Sequence, residues 1–128
     1  MDGGKIYRYL ADDHACLDAL LERATARLDT IDGPAYAQFR AQLLKHIAME
    51  EKILLPAAQR LGNGKPLPIA SKLRLDHGAL AALLVPTPTS SIIAAIKIIL
   101  QVHNPIEERP GGFYEQCEEL AGLRRIKS

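Results

Sequence analysis

Apolar residues recur at helical spacing along most of the chain, with polar residues between them. No stretch alternates apolar and polar residues with period two for long, and good helix formers dominate, so the chain is predicted to be all-helical. A first helix is predicted from about residue 12 to residue 29, with Asp12 or Asp13 accepting a free backbone N–H at its start. Its apolar stripe consists of Leu17, Leu21, Ala24 and Leu28.

A second helix is predicted after the turn sequence Asp32-Gly33-Pro34, because proline is suited to the first helical position, where its missing N–H costs nothing. It runs to Leu61 and ends at the Gly-Asn-Gly sequence that follows. Pro56 is predicted to kink it, since proline removes one backbone hydrogen bond. The inward positions of this helix are predicted to be Phe39, Leu43, His46, Glu50, Ile53 and Ala57.

Two further helices are predicted, one starting within residues 65–68 and reaching about Val85, and one beginning near Ser90. The fourth helix is apolar nearly all round, so it should be the most buried helix or should offer a homodimer surface to a second copy of the chain. A short C-terminal helix is predicted over residues 113–123. The stripes are Leu73, His77, Leu80 and Leu84 in the third helix and Ile92, Ile96, Ile99 and His103 in the fourth.

Short connections between helices of similar length indicate antiparallel neighbours. The predicted fold class is therefore all-α, an up-down-up-down four-helix bundle with a short C-terminal helix. We expect one domain over residues 1–128, built from two helical hairpins at about residues 12–61 and 68–109.

Composition supports one soluble domain: 48% of the residues are apolar, 24% are charged and the net charge is +1. The only basic run is the short tail at residues 124–127, which argues against nucleic acid or an anionic membrane as a partner. The apolar stretch 92–100 contains Lys97 and is shorter than the roughly 20 residues that span a bilayer. Two cysteines without a CxxC pattern, and no visible secretory signal, predict a cytoplasmic protein.

An internal repeat uses all four histidines of the chain. Residues 13–21 and 76–84 agree at six of nine positions, including an Asp-His pair, and residues 46–51 and 103–108 both read H-x-x-x-E-E. Residues four apart lie on one face of a helix, so each half can supply the same ligands to a shared central site. The predicted metal ligands are His14, His46, Glu50, His77, His103 and Glu107.

This ligand set predicts a particular metal chemistry. Neutral imidazole suits iron, zinc, copper or nickel, and a carboxylate can bridge two cations. Two histidines per ion and two bridging glutamates leave open positions on ions that prefer six ligands. A pair of non-haem iron ions with a bridging oxide or hydroxide fits best, and manganese or zinc fits less well. Packing without metal is the alternative, but it would bury unpaired charge at a high cost in free energy.

Several neighbouring side chains have two interpretations or none that involves the site. Asp13 and Asp76 either accept hydrogen bonds from ligand imidazoles or are solvated or capping residues. Glu51 and Glu108 are either surface charges or further metal ligands, and surface charges are favoured. Both cysteines, Cys16 and Cys117, are predicted to pack against other side chains. No spacing connects the site with any of the four tyrosines, which are Tyr7, Tyr9, Tyr36 and Tyr114.

The two Asp-His pairs and two HxxxE motifs resemble those of the hemerythrin-like HHE cation-binding domains, over residues 12–119. The resemblance implies a four-helix bundle with a non-haem diiron centre that has four terminal histidines and two bridging glutamates. Leu73 stands where oxygen-carrying hemerythrins have a further histidine, so the implied centre is symmetric, similar to the metal domain of bacterial iron-centre-repair proteins. This symmetry argues against reversible O₂ carriage. Pro105, within the second HxxxE, is expected to bend the helix and shift Glu107.

The function predicted from these features is that of a diiron protein that binds or reacts with O₂, nitric oxide or peroxide, in sensing, scavenging or redox work. A metal-binding protein is favoured over a dedicated enzyme. Two alternatives stay open. One is iron donation or iron-centre repair, and the other is a binding module with a purely structural metal site.

Overall fold

The computed structural model of the protein describes residues 4–27 and 29–127, and within these ranges it contains helices and no β-strand. The prediction of an all-helical chain is confirmed. The elements are α1 (Lys5–Ala24), α2 (Gly33–Met49), a π-helical turn (Glu50–Leu54), α3 (Leu55–Leu61), α4 (Ala70–Leu83), α5 (Ser90–Glu108) and α6 (Phe113–Lys127).

Helix α1 begins seven residues earlier than predicted and ends before residue 29. Its first turn has no side-chain cap of its own. Instead, the carboxylate of Glu118 in α6 accepts the backbone N–H of Ile6, and Leu10 is buried in the added turns. The predicted stripe is buried at Leu17, Leu21 and Ala24, whereas Leu28 lies outside the described residues.

The second predicted helix is present as α2, the π-helical turn and α3, which follow one another without a gap. Asp32, which was predicted only as part of the turn before the helix, caps α2 by accepting the N–H of Ala35. Ile53 was expected to face inward, but its side chain is 62% exposed, and the buried positions of α3 are Leu55 and Ala58. The reason is the π-helical turn, because one extra residue per turn moves the inward face one position along the chain.

The third and fourth predicted helices correspond to α4 and α5. The stripe of α4 is buried as predicted. In α5 the buried positions are Ile93, Ile96 and Leu100, followed by two site residues, while Ile92 and Ile99 are only partly buried. Helix α5 is not buried on every side, since the side chains of two of its apolar residues are mostly exposed: Ile98 and Val102. The alternative, that it offers a surface to a second copy of the chain, stays a prediction.

Two apolar clusters fill the interior. Along the chain, every predicted site residue except His46 lies between a residue of one cluster and a residue of the other. Helix α1 packs along α2, α4 packs along α5, and α6 contacts α1, α3 and α5. Within the described residues, no helix has both the length and the apolar character needed to cross a membrane. The first cluster includes Leu17, Phe39, Leu43, Leu80 and Ile96, and the second includes Leu10, Leu55, Leu73, Phe113 and Tyr114.

Candidate metal centre

The structure brings all six predicted ligand residues together in the interior. Each is buried, and the two glutamates have no exposed surface. They form two groups of four in which one nitrogen or oxygen atom from each residue lies within 4.8 Å of the others. Each group could hold a metal ion. The first group is His14, His46, Glu50 and Glu107, and the second is His77, His103, Glu50 and Glu107.

Both glutamates belong to both groups. In each glutamate, one carboxylate oxygen faces the first group and the other oxygen faces the second. Glu50 Oε2 lies 3.1 Å from His46 Nε2, and its Oε1 lies 2.9 Å from His77 Nε2. Glu107 Oε1 lies 3.1 Å from His14 Nε2, and its Oε2 lies 3.1 Å from His103 Nε2. This is the arrangement that a carboxylate needs in order to bridge two cations.

Every histidine presents Nε2 to the centre and Nδ1 to a carboxylate on its outer side. Such a partner fixes the orientation and the tautomer of an imidazole and makes the free nitrogen a better metal ligand. The Nδ1 pairs are His14 with Glu108 (2.6 Å), His46 with Asp13 (2.6 Å), His77 with Glu51 (2.6 Å) and His103 with Asp76 (3.0 Å).

These outer pairs settle two predictions. Of the two interpretations of Asp13 and Asp76, the hydrogen-bonded one is correct, although each aspartate serves a histidine of a neighbouring helix and not the one beside it in the chain. For Glu51 and Glu108 the prediction of surface charges and not metal ligands holds in part, since neither belongs to a group of donors but each pairs with a buried imidazole. Each follows a site glutamate directly, and its half-buried side chain reaches an imidazole on another helix, which helical periodicity alone does not indicate.

The internal repeat of the sequence therefore extends to the hydrogen bonds around the centre. His14 and His77 occupy equivalent positions, and both pair with the second glutamate of an H-x-x-x-E-E motif. The other two histidines both pair with the aspartate of an Asp-His pair. The two halves thus build the same outer contacts.

The backbone contributes through the π-helical turn, which begins at Glu50 and is followed by Pro56. Leu55 N–H bonds to the carbonyl of Glu50, five residues back, next to the proline that has no N–H to donate. The predicted distortion at Pro56 is thus a π-helical turn. Turns of this kind occur frequently at functional sites.

Pro105 has a smaller effect than expected. It lies inside α5, which continues to Glu108. Glu107 is fully buried and both of its oxygens contact site histidines. The expected shift of Glu107 away from the site is therefore not seen.

A residue that the sequence did not connect with the site lies at its centre. Tyr114 of α6 is fully buried, and its hydroxyl donates to Glu50 Oε2 at 2.6 Å. The turn before it is tight: Gly111 has a φ of 77°, and a Cβ on Gly112 would lie 2.5 Å from the carbonyl oxygen of Ile106. No repeat or helical period marks this tyrosine, and the only signal in the sequence is its place after that turn.

The electrostatics of the centre favour positive charge. Burial by itself lowers the pKa of His14, but hydrogen bonds and charge from Glu107 and Glu108 raise it to about 9. His77 is likewise disfavoured by burial, yet Glu107, Glu50 and Glu51 raise its pKa to about 10. Burial opposes ionisation of Glu107, but the neighbouring imidazoles of His103, His14 and His77 hold its pKa well below the usual value.

The donor atoms fit a bound cation. Three buried atoms of the second group have no hydrogen-bond partner, although the closest two of them are only 2.9 Å apart. Buried polar atoms without a partner are costly, and a cation at their centre would contact all of them. The three atoms are Glu50 Oε1, His77 Nε2 and Glu107 Oε2.

Three further side chains considered in the sequence belong to neither group of donors. Cys16 is exposed, so the prediction that it packs in the interior is wrong. Cys117 is buried as predicted, and burial raises the pKa of its thiol to about 12. Leu73 is fully buried in the second apolar cluster.

Comparisons with protein-family models, with curated proteins and with solved structures found no match for this chain.

Proposed function

We propose that this protein holds a pair of non-haem iron ions and uses them to bind or react with O₂, nitric oxide or peroxide. One observation carries the proposal: two buried groups of donors share Glu50 and Glu107, and each of these carboxylates offers one oxygen to each group. His14 and His46 would complete the ligands of one ion, and the other two histidines would complete those of its partner.

The choice of iron rests on the chemistry of the donors. Imidazole and carboxylate suit first-row ions, and the set contains no thiolate of the kind that favours zinc or copper(I). Four protein donors per ion leave positions free on an ion that prefers six. When bound, such a pair supplies redox chemistry with small oxidants, while the chain's own residues hold, orient and bury it.

The same proposal includes the finer features of the fold. The helices α1, α2 with α3, α4 and α5 would run up-down-up-down around the centre, as in the hemerythrin-like HHE domains that the motifs resemble. Iron(II) chemistry of this kind and two free cysteines suit a reducing compartment such as the cytoplasm.

The test is to load the metal-free protein with iron(II) under anaerobic conditions, count the bound iron, and then add O₂, nitric oxide or peroxide in separate experiments while recording visible spectra. We expect two iron ions per chain and a spectral change with at least one reagent. Fewer than one iron per chain would overturn the proposal, and so would bound iron that reacts with none of the three.

A matched pair of variants tests whether the shared carboxylates hold both ions. Glu107 belongs to both groups, so Glu107→Ala should lose most of the bound iron, whereas Glu22→Ala, at an exposed position of α1, should keep it. Equal iron contents in the two variants would contradict the assignment of this site.

A further inference from the structure

Tyr114 makes the two halves of the centre unequal. Its hydroxyl oxygen lies 2.6 Å from Glu50 Oε2, 3.0 Å from Glu107 Oε1, 3.0 Å from His14 Nε2 and 3.3 Å from His46 Nε2. These four atoms belong to the residues of the first group. The second group has no such contact among the described residues, and its three atoms without partners remain.

The hydroxyl cannot satisfy these four neighbours as a hydrogen-bond donor. A phenol has one hydrogen, and the shortest contact assigns it to Glu50. Histidines that bind a metal must be free of a proton on the coordinating nitrogen. With ions bound, the inner imidazole nitrogens would thus have no hydrogen to donate to the phenol oxygen.

The four distances match those between ligands that share an ion. Imidazole and carboxylate bonds to zinc are about 2.0–2.2 Å long, so two ligands at right angles around such an ion lie about 3 Å apart. The phenol oxygen has this spacing from all four donors of the first group, and His46 Nε2 has it from Glu50 Oε2, at 3.1 Å. The five atoms are therefore spaced like five ligands of one ion.

We propose that Tyr114 is a fifth protein ligand, as tyrosinate, of the ion held by the first group. On metal binding the phenolic O–H bond breaks, the oxygen lone pair binds the ion, and the proton passes to water. The proposal rests on the proposed function, since it requires an ion at His14, His46, Glu50 and Glu107. It makes the two ions unequal, with five protein ligands for one and four for the other.

The test uses the iron(III) form, because tyrosinate bound to iron(III) gives a charge-transfer absorption in the visible region. Resonance Raman spectra excited in that band show vibrations of the phenolate ring. We expect these vibrations in the wild-type protein, with a shift when the tyrosine rings are deuterated. Tyr114→Phe should lose both band and vibrations, and Tyr36→Phe should keep them, because Tyr36 is buried in the other apolar cluster.

Iron analysis of the same samples separates the two proposals. Two iron ions per chain without phenolate vibrations in the wild type would overturn the tyrosine ligand and leave the diiron proposal standing. Fewer than one iron per chain would overturn both.

The phenolate signal must also belong to this tyrosine. If Tyr114→Phe does not fold, as judged by circular dichroism, the triple variant Tyr7→Phe, Tyr9→Phe, Tyr36→Phe replaces it, since its only remaining tyrosine is Tyr114. Its phenolate vibrations should persist, and their loss in a folded, iron-loaded protein would overturn the assignment.

Discussion

At the scale of single residues, the outer carboxylates are as much a part of the centre as the donors themselves. Asp13 accepts from His46 Nδ1 and also from the side-chain amide of Gln42. These contacts hold the imidazole with Nε2 toward the interior. Loss of such an outer partner typically lowers metal affinity about 10–100-fold.

We therefore expect Asp13→Asn to weaken metal binding by about 10–100-fold, because the amide cannot provide the negative charge that makes the imidazole a good ligand. Competition with a chelator of known affinity measures the change. Asp12→Asn is the matched control, since Asp12 is exposed in the same turn of α1, and its affinity should stay that of the wild type. Equal losses in both variants would show that Asp13 acts only through the general charge of this surface.

The raised pKa values of two histidines predict how the metal-free protein responds to pH. A group whose pKa is higher in the folded state stabilises that state fully below its unfolded value, and the contribution is lost as pH rises through the folded value. The stabilising contribution of each histidine begins to fall near the usual histidine pKa of 6.5. It is lost by about pH 9 for His14 and by about pH 10 for His77.

The metal-free protein should thus lose thermal stability steadily from about pH 6.5 to 10, and the metal-loaded protein should change less, because its imidazoles hold ions in place of protons. Metal uptake at pH 7 should release protons. Melting curves of both forms, and the pH change of an unbuffered sample on metal addition, provide the measurements. Proton uptake on metal binding would contradict the prediction.

At the scale of elements, the stripes of α1 and α4 could be predicted from the sequence because helical period and burial agree there. Two features could not. The inward face after Glu50 shifts because of the π-helical turn, which a regular period of 3.6 residues cannot represent. The start of α1 depends on Glu118, 112 positions away in the chain from the N–H of Ile6 that it accepts.

That distant cap leads to a prediction for α1. Removing a side chain that accepts hydrogen bonds at a helix start costs about 0.5–2 kcal/mol, so Glu118→Ala should lower the free energy of unfolding by about 1 kcal/mol. Glu119→Ala should change it by less than about 0.5 kcal/mol, as expected of an exposed position. Urea denaturation gives both values. Hydrogen exchange at the amide of Ile6 should accelerate only in Glu118→Ala, and unchanged exchange there would reject the cap.

Residue spacing within a helix and packing between helices together explain which residues of the candidate site could be predicted. His46 with Glu50, and His103 with Glu107, could be found because residues four apart share a helical face. Glu51 points to another helix, and its role depends on how two helices meet. Tyr114 enters from α6, whose position depends on packing and on a glycine turn, and not on any repeat in the chain.

At the scale of the whole molecule, the centre concentrates charge between two apolar clusters, so its occupancy should control stability. A ligand that binds only the folded state at a hundred times its dissociation constant stabilises that state by about 2.7 kcal/mol. We expect metal to raise the midpoint of thermal unfolding in proportion to the logarithm of its concentration. Glu107→Ala should abolish this dependence, and a metal-induced shift of normal size in that variant would place the bound ion elsewhere.

The position of α6 in the chain has a consequence for protein synthesis. All six predicted ligands precede Tyr114, so a growing chain presents every histidine and both shared glutamates before the tyrosine leaves the ribosome. Until α6 docks, the second apolar cluster lacks Phe113 and Tyr114, and the centre is open on that side. Among the described helices, α6 is synthesised after all those that carry the donors, so we expect the centre to be complete only after α6 has packed.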